Sequence, residues 1–347
     1  MSEPVVQMEK CPIPIIWLDT SVFIKLASLK LGQLKNDTEK SRLQVLHDRI
    51  YTLAREGKLL CPEASQPREI WTRRSDFLDE VSELSLGVTT YAHEIIEDAQ
   101  VQHLMSAYIA SKREITFPYA AAFLEHPVDA LRKSLQSRFI VTVDMGLLGE
   151  VNNIRTHRAG IHREWEALRQ RCIDERVTYE RQLQRERRGG INVTISMARD
   201  CVTKTINGAE PTDPELRAHR NISRLIHIWD FLDGEPKGFH GLLEFIHSPN
   251  YMLAPSVDIS AMLVAKLMVG EKAIDHGDAM DVAHISSMLP YADLMVVDRR
   301  MKNVVRNLDL DSKYNTIVCY IGDIDEIDAF FRKVEQSEPL LSRSLFE

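Results

Sequence analysis

Near each end of this chain a short, wholly apolar run stops at an aspartate and hands over at once to a helix-forming stretch. Pro14-Ile15-Ile16-Trp17-Leu18 runs into Asp19-Thr20-Ser21, and Leu294-Met295-Val296-Val297 runs into Asp298. Runs so short and so apolar leave no polar face for solvent. They predict strands buried on both sides, as in a parallel sheet. Parallel neighbours need long crossovers, usually helices. The flanking sequence supplies them, with helical periodicity over residues 22–31, 41–56 and 68–84 at one end and 259–273, 278–289, 299–308 and 324–334 at the other. Two further short strands are predicted, Lys58–Cys61 and Thr316–Tyr320. The expected fold class is α/β, with helices alternating around a mainly parallel sheet.

Between these ends the pattern changes. From about Thr89 to Asn250 nearly every segment reads as helical, apart from a β-like run at Phe139–Val143. The stretch from Gly149 to Arg188 is dense in arginine, with Ile154, Ile161, Trp165, Leu168 and Cys172 at helical spacing. It reads as one long amphipathic helix without the heptads of a coiled coil. A segment of this length is too large for a loop. The predicted organisation is a core formed by residues 1–87 and 254–347, interrupted by a mostly helical insertion over 88–253.

In an open parallel sheet, functional groups gather at the carboxyl ends of the strands, which is where Asp19 and Asp298 fall. The helix beginning at Asp278 would bury Val282, Ile285 and Leu289, and Asp278 and Asp281 lie on or beside that stripe. Carboxylates there are costly unless capped, hydrogen-bonded or bound to a cation. Glu69, near the start of the helix after the second strand, offers an acid from a further element.

This order of motifs resembles the PIN-domain nucleases. IIWLDTSVF, residues 15–23, matches the family's apolar strand running into Asp-Thr. LLCPEASQPREIW, residues 59–71, matches a Glu after a strand and a proline-containing turn. DAMDVAHISSMLPYADLMVVDRRM, residues 278–301, matches a helix bearing Asp followed by a strand that ends in Asp. The resemblance covers the two ends, and the helical insertion is a departure from it. It implies a PIN-like core and an endoribonuclease-type activity, with RNA ahead of DNA as the nucleic acid cut. It also implies Asp19, Glu69, Asp281 and Asp298 as ligands of Mg²⁺ or Mn²⁺, Asp278 as a further ligand, and Thr20 or Ser21 as an orienting hydroxyl. Each assignment has a rival: Glu63 for Glu69, Asp278 for Asp281, and Asp293 for Asp298.

The same residues have plainer uses. Asp19 and Asp278 can cap the helices that follow them, and Asp281 can favour a helix dipole. His284, three residues beyond Asp281, reads as a packed histidine before it reads as a ligand. Glu164, Glu166, Glu175, Glu180 and Glu186 interleave with the arginines, as on a solvated face. Within that reading, Arg181 and Arg185, with Arg299 and Arg300 beside Asp298, are the cations expected to meet a nucleic-acid backbone. The net charge of -8 argues against a general grip on duplex DNA, which needs basic surface. A HAD-type phosphotransferase would need an acid where Ser21 stands, and no GxxxxGK[ST] or GxGxxG motif is present. The competing class is a PIN-like scaffold that does not cut, binding RNA or a protein through the insertion, which is also the segment expected to carry any homo-oligomer contact. Five scattered cysteines fit reduced thiols. With no long apolar run and no leader pattern, a cytoplasmic protein without a membrane partner is expected.

Overall fold

The computed structural model describes residues 4–64, 77–136 and 151–339, with only the backbone of 151–158. In chain order the elements are β1 (Val5–Met8), β2 (Ile16–Leu18), α1 (Thr20–Lys30), α2 (Asp37–Arg55), α3 (Leu78–Ser85), α4 (His93–Ile109), β3 (Glu114–Phe117), α5 (Pro127–Gln136) and α6 (Val151–Asp174). There follow α7 (Tyr179–Ile206), α8 (Asp213–Phe231), α9 (Phe239–His247), α10 (Pro255–Met268), α11 (Asp278–Met288), β4 (Leu294–Val296), α12 (Arg299–Asn307), α13 (Leu310–Tyr314), β5 (Ile317–Cys319) and α14 (Ile324–Glu335). The chain is mixed α/β and mostly helical. It forms two compact units: Met1–Gln7 with Glu97–Phe117 and Arg163–Asp275, and Met8–Ile96 with Pro118–His162 and His276–Glu347.

The second unit holds the parallel sheet. Its strands lie in the order β2-β4-β5, with Leu18 opposite Val296 and Val296 opposite Cys319. Strands from opposite ends of the sequence are therefore neighbours. Single bridges carry the pairing outward beyond β2: Ile15 with Leu60 and Glu63 with Thr89, both parallel, then Thr90 with Phe123, antiparallel. The strand expected at Lys58–Cys61 shrinks to the one bridge at Leu60. Pro62 follows directly and has no N–H with which to extend a ladder.

Both faces of the sheet are buried, which explains why its strands are apolar throughout. On one face Ile16, Leu18, Leu294, Val296 and Cys319 pack with Val22, Phe23 and Leu26 of α1, Leu43, Leu46 and Ile50 of α2, Val81 and Leu84 of α3, and Phe330 and Phe331 of α14. On the other, the Trp17 ring meets His284 of α11, centroid to centroid at 5.5 Å. The buried His284 is thus a packed histidine, as the plainer reading expects.

Asp293 illustrates how the sheet sorts its acids. It stands at the amino end of β4, where Oδ2 accepts the Ile15 N–H at 2.8 Å, on the edge opposite to Asp298. Burial pushes its carboxyl above the usual range, against the pull of the Ile15 N–H and the Lys10 ammonium. A raised native pKa makes the charged form a burden: the stabilising contribution is full at low pH and is lost as pH rises through the native value. Asp293→Asn, which keeps an oxygen acceptor without the charge, is expected to stay within about 1 kcal/mol of the parent at pH 7 in urea unfolding. Asp293→Ala leaves the Ile15 N–H without its acceptor and should cost about 1–3 kcal/mol.

In the first unit, α8 and α10 pack along the long helix α7, and Arg187 of α7 pairs with the buried Asp258 of α10 at 2.6 Å. The helix expected over 259–273 accordingly belongs to this helical unit, rather than to the sheet unit as the 254–347 boundary would have it. The single helix expected from Gly149 to Arg188 is two helices: α6 ends at Asp174, Arg176 adopts φ 49°, and Thr178 caps α7 by accepting the Arg181 N–H. β1 and β3 pair as a two-stranded sheet that the sequence pattern did not predict. The run at 139–143 lies outside the described residues. No helix among the described residues is long and apolar enough to cross a membrane. All five cysteines are free and buried, and burial pushes the Cys11 thiol up to about 12, leaving it protonated and unreactive.

Candidate active site

The register of β2 against β4 decides where the acids meet. The Asp19 N–H donates to the Val296 carbonyl at 3.0 Å, so Asp19 continues β2 at the level where β4 ends, two residues before Asp298. Neighbouring strands stand about 4.8 Å apart, and both aspartates emerge at the same carboxyl edge. Helix α11 precedes β4, and its first residue, Asp278, reaches that edge as well. The proof is a direct contact: Arg300, in the first turn of α12, holds the two oxygens of Asp278 at 2.9 and 3.1 Å.

Each acid has local work. Asp19 caps α1, with Oδ2 accepting the Ser21 N–H at 3.0 Å and the Ser21 hydroxyl at 2.5 Å. The Ser21 hydroxyl and N–H therefore hold the Asp19 carboxylate, and Thr20 is buried as the first residue of α1. Asp298 caps α12, with Oδ1 accepting the N–H groups of Arg300 and Met301 at 2.5 and 3.0 Å. Asp278 is 2 % exposed and engaged by Arg300. Asp281 is half-buried, one turn on, with Gly277 beside its carboxylate. These four acids do not close into a group of three ligand atoms within 4.8 Å of one another; among the described residues only His47, Glu80 and Glu83 do so.

The fourth expected ligand, Glu69, lies outside the described residues. Its rival Glu63 is described. It follows Pro62 at the end of the bridged segment next to β2, where its carboxylate accepts the Thr89 hydroxyl at 3.1 Å. Desolvation raises its carboxyl above the usual range, with the hydroxyls of Thr89 and Ser85 drawing it back down. A half-buried acid that resists ionisation is one that a cation would stabilise. The Asp278–Arg300 pair is the feature that sequence reasoning missed, because no periodicity links residues on different helices.

No family model, curated protein or solved structure matches the chain. The donor set at the sheet edge is all oxygen and strongly anionic, which suits a hard divalent cation. Beside it, the exposed Arg299 reaches over the Tyr320 ring at 5.7 Å and Lys302 over the same ring at 5.2 Å. Arg181 and Arg185 belong to the helical unit, where Arg185 pairs with Glu175 at 3.3 Å.

The capping role of Asp298 can be measured separately from any chemistry. Asp298→Ala is expected to lower stability by about 1 kcal/mol, the ordinary worth of an N-cap. Asp298→Asn should not, and a urea titration of the pair distinguishes them.

Proposed function

We propose that the carboxyl edge of the parallel sheet is a divalent-metal site that hydrolyses phosphodiester bonds in nucleic acid, RNA ahead of DNA, on a PIN-like core. The observation that carries this reading is the β2–β4 register, which brings Asp19 and Asp298 to the same carboxyl edge, while Arg300 ties the first turn of α11 to that edge through Asp278. Asp19, Asp281 and Asp298 are the proposed ligands, with Asp278 in reserve and one acid from the segment holding Glu63 and Glu69. Mg²⁺ or Mn²⁺ bound there would supply the Lewis acidity that activates water and offsets charge on the phosphodiester. Ser21 fixes the Asp19 carboxylate. Arg300 holds Asp278 in place, and the exposed Arg299, next to Asp298 in sequence, is the cation proposed to meet a phosphate oxygen.

One observation favours a second reading. Asp19 and Asp298 already cap helices and Asp278 is already paired with Arg300, local roles that a scaffold binding without cutting would equally need. Labelled single-stranded RNA and DNA, incubated with EDTA, Mg²⁺ or Mn²⁺, separate the two. Metal-dependent cleavage that disappears in Asp281→Asn and Asp19→Asn supports the nuclease. A wild-type protein that neither cleaves nor gains thermal stability from Mg²⁺ or Mn²⁺ leaves the scaffold.

A further inference from the structure

Helices α2 and α3 bring together a second donor set that the carboxyl edge does not use. His47 of α2 and Glu80 and Glu83, one turn apart on α3, place one ligand atom each within 4.8 Å of the others. Glu80 is 2 % exposed, and neither of its buried carboxylate oxygens receives a hydrogen bond. The buried Nε2 of His47 is in the same condition and faces Glu80 Oε1 at 3.3 Å. The two atoms therefore face each other at ion-pair distance without the geometry of a hydrogen bond.

The histidine is held for this arrangement. Its Nδ1 lies 3.1 Å from the Asp48 carboxylate, which favours the proton on Nδ1 and a lone pair on Nε2. That is the carboxylate–histidine pairing that orients metal-binding imidazoles. Tyr51 stacks on the ring at 5.8 Å with an interplanar angle of 23°. Opposite it, Lys30 is bonded to Glu83 and stands 3.8 Å from Glu80 Oε2. One ammonium thus serves two carboxylates, and its side chain is 54 % exposed, so it can leave toward solvent. The pocket is short of positive charge.

We propose that His47, Glu80 and Glu83 form a site for a divalent first-row transition metal, with Zn²⁺ the best match. One imidazole and two carboxylates give the three protein ligands of a tetrahedral zinc site with one open position, and a nitrogen ligand disfavours Mg²⁺. Lys30 is a competing cation in this scheme, displaced when the metal enters. The site stands independently of the nuclease reading, because it shares no residue with the sheet edge.

The test is calorimetric titration of the full chain, stripped with EDTA and dialysed, using Zn²⁺ and then Mg²⁺. The wild type is expected to take one equivalent of Zn²⁺ and to show no Mg²⁺ binding that depends on His47. His47→Ala and Glu83→Gln should each bind Zn²⁺ at least tenfold more weakly. Lys30→Met should bind it several-fold more tightly, since the competing ammonium is gone. Asp281→Asn should bind it as the wild type does. Glu83 is only partly buried, so Glu83→Gln keeps the test valid if His47→Ala fails to fold. No Zn²⁺ uptake by the wild type, undiminished uptake in Glu83→Gln, or a loss confined to Asp281→Asn would each overturn the proposal.

Discussion

Asp19→Asn is expected to leave the chain folded and to reduce metal-dependent cleavage at least about a hundredfold, which corresponds to about 2.7 kcal/mol of lost transition-state stabilisation. Asparagine is chosen because it separates two roles that coincide in one side chain. As an N-cap, Asn is about as good as Asp, and its carbonyl oxygen can still accept the Ser21 N–H that now bonds to Oδ2. What it cannot supply is the negative charge that a hard cation requires of a ligand. Single-turnover cleavage and urea unfolding, measured on the same preparation, read the two roles apart. Undiminished cleavage with unchanged stability would make Asp19 a cap alone and remove it from the proposed ligand set. Asp19→Ala is the less informative variant, because loss of the cap would add about 1 kcal/mol of destabilisation to any catalytic effect.

The elements around the site were legible because each is written in a local code. An apolar run ending in aspartate announces both a strand and the cap of the next helix, and β2–α1 and β4–α12 follow that code closely. Pairing between β2 and β4 is not local, and only the expectation of a parallel sheet suggested it. The choice between Asp293 and Asp298 was equally beyond periodicity. Both flank the same strand, and only strand direction sends one to the Ile15 N–H and the other to the carboxyl edge. Elsewhere the code is weak. β1 and β3 are four residues each and half exposed, too short for alternation to register. The break before α7 depends on Thr178, which has Arg181 rather than Glu at the position that completes a capping box. Thr212 and Glu215 do form such a box at the start of α8, and that boundary was readable in principle. The Asp278–Arg300 and His47–Glu80 contacts join separate helices, and no spacing rule reaches them.

Trp17→Ala should give the largest loss of stability, about 3–5 kcal/mol, as for other buried aromatic truncations. Trp17 is fully buried at the middle of β2, with a paired strand on one side and the Ile15–Leu60 bridge on the other. Its ring is packed against His284 of α11, the helix that carries Asp278 and Asp281. Truncation therefore opens a cavity between the two elements that deliver acids to the sheet edge, where close packing leaves little room for collapse. Trp17→Phe should cost much less. The indole Nε1 is buried without a hydrogen-bond partner, so phenylalanine gives up ring volume but no bond and relieves an unsatisfied donor. The pair of variants thus separates packing from polarity in urea unfolding followed by far-UV circular dichroism. A loss below about 1 kcal/mol for Trp17→Ala would mean that β2 and α11 are not packed as described. If the loss is large, cleavage in the stable Trp17→Phe variant becomes the finer probe. A fall in rate at unchanged fold would show that the spacing between Asp19 and the first turn of α11 is set from beneath, by this one ring.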